Sequence, residues 1–395
     1  MMKPPVIYLF DTQVRLIGQI RRYTSLKFCR AWKSVGDKFE LNIADYAEIL
    51  PLLKKGYYIC LDGDPRRCGC IRGVRLVESD IRSAVVTGFS CKWLARTRIN
   101  KQPDAEELAK LNFGYDAVPL ARYEGDPQTP LPAETVIKTY AARHMVRPED
   151  DKRRIPGLEI AEDEKRGKAM RWLAENGAQL DTTLENICEY ADIGYDIRLD
   201  IDNQCLVLDV IPGVDRSRNQ TSRHPVVFSI EHRNLSTAEY YTDDENLRNV
   251  VYAKSEEQSS GVHAQPAYTS EKEVPSGLDR REMFSDCTSL SLAETETSIS
   301  AKTKALQDLS QHKQEDEITC TIVSTGTYEY LKDWDIGDLV SVDMVSFGKT
   351  VDKRIVTVTE EYAAGKYTVT PGFKTEETTR VKLIRRLKKI IIGGK

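Results

Sequence analysis

The sequence predicts a mainly β fold with an inserted α+β domain, and three observations carry that prediction. Residues 318–373 read as a run of antiparallel strands, in which apolar and polar residues alternate at period two between Gly and Asp clusters. A similar block stands near the N-terminus. Gly56 opens one strand as Gly337 opens another, Ile71–Val74 matches Ile355–Val358, and Val86–Phe89 matches Val369–Phe373. Such an internal repeat divides the β part into two related blocks. Between the blocks the period becomes helical: Val136, Ile137 and Tyr140 share a face, as do Leu184, Ile187 and Cys188.

Residues 1–100 hold the first block and read as a small barrel or sandwich. Short strands follow one another closely, joined by tight turns such as Val35-Gly36-Asp37, with room for only one or two helical turns at Ala47–Lys55. Residues 101–223 hold a linker and the α+β domain. Ala105–Leu111 is a short helix, and the prolines from Pro119 to Pro132 mark an irregular connection. Helices follow at Ala133–Tyr140 and Thr182–Ala191, the second with Asp181 as N-cap and Gly194 as its end. Tyr195–Ile201 and Gln204–Val210 make a hairpin around Asp202-Asn203.

Strands resume within residues 224–254 and again within residues 315–375. The insertion at 255–314 carries a polar, mobile loop (Ser255–Gly277) and a helix (Leu292–Gln311) with sparse apolar positions Ile299, Leu306 and Leu309. In the second block, Trp334, Gly337 and Asp338 set the turn into its strand, and Gly56 is the counterpart in the first. Residues 376–395 form a basic helix in which Val381, Ile384, Leu387 and Ile391 recur near helical spacing. Arg385, Arg386, Lys388 and Lys389 are candidates for docking a partner; a solvated face and a contact with an anionic polymer are the other readings.

Composition excludes several classes of function. A net charge of -4 argues against wholesale coating of nucleic acid, no apolar run spans a membrane, and the start lacks a signal peptide. Nine scattered cysteines suit thiols kept reduced in a cytoplasm. Cys68 and Cys70, with Cys60 nearby, are the best metal candidates, but no second ligand pair accompanies them, so they read as structural. Asp333, Asp335, Asp338 and Asp343 do not keep the register of a calcium loop and read as caps of turns. His144, His224, His232, His263 and His312 lie in separate segments, and no phosphate loop, dinucleotide fingerprint or nucleophile elbow is present. The chain therefore reads as a non-enzyme without cofactor or metal.

Several segments together resemble the baseplate-hub or tail-tip proteins of long-tailed phages and prophages of Gram-positive bacteria. They are VIYLFD and VRLIGQI (6–20), SLKFCRAWKSVGDKFELNI (25–43), ARHMVRPEDDKRRIPGLEI (142–160) and TLENICEYADIGYDIRLDID (183–202). HPVVFSIEHRNL (224–235), LRNVVYA (247–253), YLKDWDIGDLVSV (330–342) and KRIVTVTE (353–360) continue the series. The resemblance implies two tail-tube-like barrels per chain, the first of residues 1–100 and the second of residues 224–254 and 315–375 with 255–314 inserted, and a homotrimer that adapts a six-fold tube or distal-tail ring to a three-fold tip. It implies a distal-tail or tube protein above, a fibre, spike or tip protein below, and DNA passing through the lumen without specific binding. The location implied is the virion tail or a tail-like particle, assembled in the host bacterial cytoplasm. Many relatives continue into a peptidoglycan-cleaving domain; this chain stops about twenty residues past the last barrel strand, which assigns any such activity to another protein. The rival classes are a tail-associated cell-wall hydrolase and a nucleic-acid-binding module of the OB type, the latter disfavoured because the basic residues cluster away from Tyr57, Tyr58 and Phe89.

Overall fold

The computed structural model describes residues 3–44, 47–78, 82–101, 117–119, 130–170, 172–175, 177–254, 265–287, 294–312, 315–322, 327–345 and 348–373. The chain divides into two compact units, one of residues 1–93, 194–239 and 318–395, the other of residues 94–193 and 240–317. The predicted helix at Ala105–Leu111 and the basic segment with Arg385, Arg386, Lys388 and Lys389 lie outside the described residues, as does part of the polar loop.

The first unit is built of strands. Its N-terminal segment supplies β1 (Ile7–Phe10), β2 (Leu16–Ile20), β3 (Ser25–Ala31), β4 (Phe39–Ala44), β5 (Tyr58–Leu61), β6 (Cys68–Val77) and β7 (Ser83–Ser90). The middle segment adds the hairpin β8 (Gly194–Asp200) and β9 (Cys205–Ile211), then β10 (Val227–Ser229). The last segment adds β11 (Leu339–Met344), β12 (Lys349–Arg354), β13 (Thr357–Ala363) and β14 (Lys366–Gly372).

Nine of these strands form one sheet in the order β2-β1-β5-β6-β7-β4-β3-β13-β14. Alternation explains its inner face: Phe39, Leu41 and Ile43 of β4 are buried while Glu40 is exposed, and Ala84 and Val86 of β7 follow the same rule. With Ile7, Leu9, Ile20, Leu26, Phe28, Ile59 and Ile71 they share one core, so the sheet curls around it as a half-barrel. Each Val, Leu, Ile or Phe side chain among them contributes about 1.5–3 kcal/mol on burial. A bulge between Ile71 and Gly73, where β6 faces β7, adds to the bend. The curl brings the Tyr23 ring edge-on to Tyr362 of β13, with centroids 5.3 Å apart. The last two strands of the second block thus continue the sheet begun by the first, through seven residue pairs between β3 and β13.

In this unit β10, β11 and β12 make a separate three-stranded sheet, with β10 parallel to β11 and β12 antiparallel to it. The predicted hairpin is present as β8 and β9, in register from Gly194 opposite Ile211 to Asp200 opposite Cys205.

The second unit contains α1 (Ala133–Ala141), α2 (Leu180–Ala191) and α3 (Glu294–Leu309). Helix α3 covers strands Val250–Lys254 and Glu282–Asp286, with Ala301, Ala305 and Leu309 against Val251 and Ala253. Two local expectations are corrected for α2. Gln179 occupies the N-cap, because Asp181 lies inside the first turn and accepts from Arg96 Nε at 2.7 Å. Asp192, in the left-handed region at φ 50°, caps the C-terminus, and Gly194 already begins β8.

Helix α1 passes into a π-helical turn at Ala142–Val146, where His144 is 1% exposed and neither ring nitrogen has a partner among the described residues. Burial, reinforced by Arg153 and Arg143, lowers the His144 pKa to about 3. On the same helix Glu134 is fully buried and accepts from Lys138 at 2.6 Å and from the Arg166 guanidinium at 2.8 Å. Burial pushes this carboxyl up, but these bonds prevail and hold it at about 2.

Candidate functional site

The two glycines that open the repeated blocks adopt the same conformation, at φ +91° for Gly56 and +88° for Gly337. Their hydrogen bonds also correspond. Gly56 N–H donates to the Ile71 carbonyl at 2.8 Å, and Ile71 N–H donates back to the Tyr57 carbonyl at 2.8 Å. Gly337 N–H donates to the Ile355 carbonyl at 2.7 Å, and Ile355 N–H donates back to the Asp338 carbonyl at 2.9 Å. In both blocks the residue after the glycine leads into a strand, β5 or β11, whose antiparallel partner is the next in sequence, β6 or β12. A positive φ at the turn is open to glycine at little cost and to other residues only with strain.

The surroundings of the two turns differ. A Cβ on Gly56 would meet only Thr12 Cγ2, at 3.8 Å, whereas one on Gly337 would fall 2.5 Å from Trp32 Nε1. Trp32 is fully buried and donates to the Ile211 carbonyl at 2.8 Å, and the Arg354 guanidinium lies 4.9 Å from its ring centroid. Arg354 also donates to the Gly337 carbonyl at 2.7 Å. The backbone around Trp32 is held by Lys92, whose ammonium donates to the Ala31, Trp32 and Ser34 carbonyls at 2.6, 3.0 and 3.2 Å.

Asp338 links the turn to the segment after β9. Its carboxylate accepts from Val214 N–H at 3.0 Å, Arg216 Nε at 2.8 Å and Asp335 N–H at 3.0 Å. Burial raises its pKa against the pull of these donors. Trp334 is 2% exposed, edge-on to Phe228 and tilted against Tyr330.

Two ionic links join the blocks inside the first unit. In the turn after β5, Arg67 bonds both carboxylate oxygens of Glu360 on β13, one of them through Nε at 2.9 Å, and reaches Asp62 at 3.1 Å. Tyr367 of β14 also donates to Glu360. Glu360 is fully buried and Arg67 is 4% exposed. The second link is Asp335, which accepts from Arg30 of β3 at 2.7 Å and from Arg66 at 3.1 Å. Sequence reading missed Trp32, Arg67 and Glu360. A usable signal was present, because Glu360 alternates with Val358 in the inward phase of β13, where an unpaired charge is untenable.

The remaining candidates serve structure. Asp333 accepts from Glu329 N–H at 2.7 Å within its turn, whereas Asp343 lies in β11 and bonds Thr350 and Arg218. Cys60, Cys68 and Cys70 are buried on one face of the β5–β6 ladder, Cys60 opposite Cys68. Among the described residues no cluster of three or more His, Cys, Asp or Glu side chains could hold a metal, and no helix is long and apolar enough to cross a membrane.

The sequence matches the family described as Siphovirus ReqiPepy6 Gp37-like protein over residues 6–373. No curated protein matches it. The fold is similar to that of the tail protein from Neisseria meningitidis MC58, with a TM-score of 0.54 and 14% identity over 93% of this chain and 95% of that one. It is equally similar to the 43 kDa tail protein of prophage MuSo2 from Shewanella oneidensis, with a TM-score of 0.54 and 13% identity over 93% and 98% of the two chains.

Proposed function

Because the chain belongs to the Siphovirus ReqiPepy6 Gp37-like protein family, and shares its fold with phage tail proteins, we propose that it is a structural, non-enzymatic hub of a phage tail or tail-like particle. The observation that carries this reading is the duplicated glycine turn, with Gly56 and Ile71 matched bond for bond by Gly337 and Ile355. Two related tube-like barrels in one chain become six when three chains close a ring. A homotrimer then meets a six-fold tube or distal-tail ring on one side and a three-fold fibre, spike or tip on the other, as closed point-group symmetry favours. DNA passes the lumen without specific binding, the particle is assembled in the cytoplasm of a Gram-positive host, and Arg385, Arg386, Lys388 and Lys389 dock a downstream partner.

In this reading Gly56, Trp334, Gly337 and Asp338 shape the entry to each barrel, and the Arg67–Glu360 link holds the last strands of the second block to the sheet of the first. Native mass measurement of the protein with its tail neighbours, followed by imaging, tests the proposal. Three copies per particle are expected. A strictly monomeric protein at high concentration and beside its neighbours would overturn it, and fragments released from Gram-positive cell walls by the purified chain would put a hydrolase in its place.

A further inference from the structure

One of the thiols singled out in the sequence takes no part in the turns or the ionic links, yet it touches another cysteine. Cys68, at the start of β6, places its Sγ 3.5 Å from the Sγ of Cys91, the residue that follows β7. Cys68 is 3% exposed and Cys91 is fully buried. Cys68 Sγ also lies 3.5 Å from the Ile197 carbonyl, while Cys60 Sγ is directed to the Asp64 carbonyl at 3.1 Å. The cross-strand neighbour is therefore engaged elsewhere, and the residue distant by 23 positions is the one in sulfur contact.

We propose that Cys68 and Cys91 form a reversible disulfide, made by exchange with a low-molecular-weight disulfide such as glutathione disulfide. The proposal stands on sulfur contact and is independent of the tail reading. In the first step the Cys68 thiolate, the less buried of the two, attacks one sulfur of glutathione disulfide. One glutathione thiolate leaves, and a mixed disulfide forms on Cys68. The Cys91 thiolate then attacks the Cys68 sulfur and expels the second glutathione thiolate. Two protein thiols are oxidised, one glutathione disulfide is reduced, and the two thiol protons pass to the glutathione released. The sulfurs must approach by about 1.5 Å to reach a bonded separation of about 2.05 Å. Contact with Cys68 and burial both raise the Cys91 thiol above its ordinary value, so exchange is slow at neutral pH and faster in mild alkali. The bond ties β6 to the turn leaving β7 and closes the chain between them.

The test uses the full-length native protein incubated with glutathione disulfide at mildly alkaline pH, denatured with alkylation but without reduction, and digested with trypsin. Cleavage leaves Cys68 on the peptide 68–72 and Cys91 on the peptide 83–92. The expected product is these two peptides joined with the loss of two hydrogens, with fragmentation between Gly69 and Cys70 assigning the link to Cys68. Oxidised protein should melt about 5 °C higher than reduced protein, a gain that dithiothreitol abolishes. Cys91→Ser should abolish the link and stop the reaction at glutathione on Cys68. Complete alkylation of both cysteines after prolonged exposure, or a link from Cys68 to Cys60 instead, would overturn the proposal.

Discussion

The turns at Gly56 and Gly337 have one backbone plan and two settings. Each has a positive φ, an N–H donated to an isoleucine carbonyl and a bond returned from that isoleucine to the next residue. Around Gly56 there is room; around Gly337 the Trp32 indole fills the space a side chain would need. Hydrogen-bonding geometry can therefore repeat within a chain while packing is individual to each site. What the copies share is set by the backbone, and what distinguishes them is set by residues remote in sequence.

The largest effect expected concerns the link between blocks. Arg67→Ala leaves Glu360 buried without its ionic partner, which should cost about 3–5 kcal/mol in denaturant unfolding. Replacing both residues by apolar side chains of similar volume should recover most of that loss; if the double variant is no more stable than the single one, the link is not what joins the blocks. Gly337→Ala adds overpacking against Trp32 to the strain of a positive φ, and a loss of about 3 kcal/mol is expected from the midpoint shift.

Acid tests whether the second unit is independent of this contrast. His144 has a folded pKa of about 3, below its unfolded value, so the unfolded chain binds more protons between these values and stability falls as pH falls. From pH 7 to pH 5 the loss should be about 2 kcal/mol, and His144→Leu should remove that slope. Glu134 acts lower, its contribution being present above its unfolded pKa and lost as pH drops toward about 2. If the titrating groups and the glycines act independently, neither titration alters the stability difference between variants at Gly56 and Gly337, since independent sites add. The smallest effect is at Gly56 itself: Gly56→Ala should cost about 1 kcal/mol, from backbone strain alone. Equal losses at the two glycines would break the comparison.

What could be read in advance follows the range of the forces involved. The strands alternate within a few residues of their own sequence, and the two glycine turns use local backbone donors, so Gly56, Gly337, Ile71 and Ile355 were legible. The hairpin Gly194–Ile211 and the helix ending at Ala191 were too. Trp32 beneath Gly337, Arg67 against Glu360 and Arg30 against Asp335 were not, because each pair is formed by residues about three hundred positions apart and leaves no period. The misplaced cap at Asp181 has the same origin, since Arg96 draws that carboxylate into a distant ion pair.

The pairing of β3 with β13 also has a consequence for synthesis. Ala31 is opposite Thr357, so one edge of β3 has its partner only after more than three hundred further residues have been made. At about 5–20 residues per second the ribosome leaves that edge open for roughly 15–65 s. Unpaired strand edges are templates for pairing with other chains. Expression at low temperature, which slows elongation, should therefore lengthen the interval in which nascent chains meet through β3, and a chaperone that shields extended segments should act on this protein before its last strands emerge.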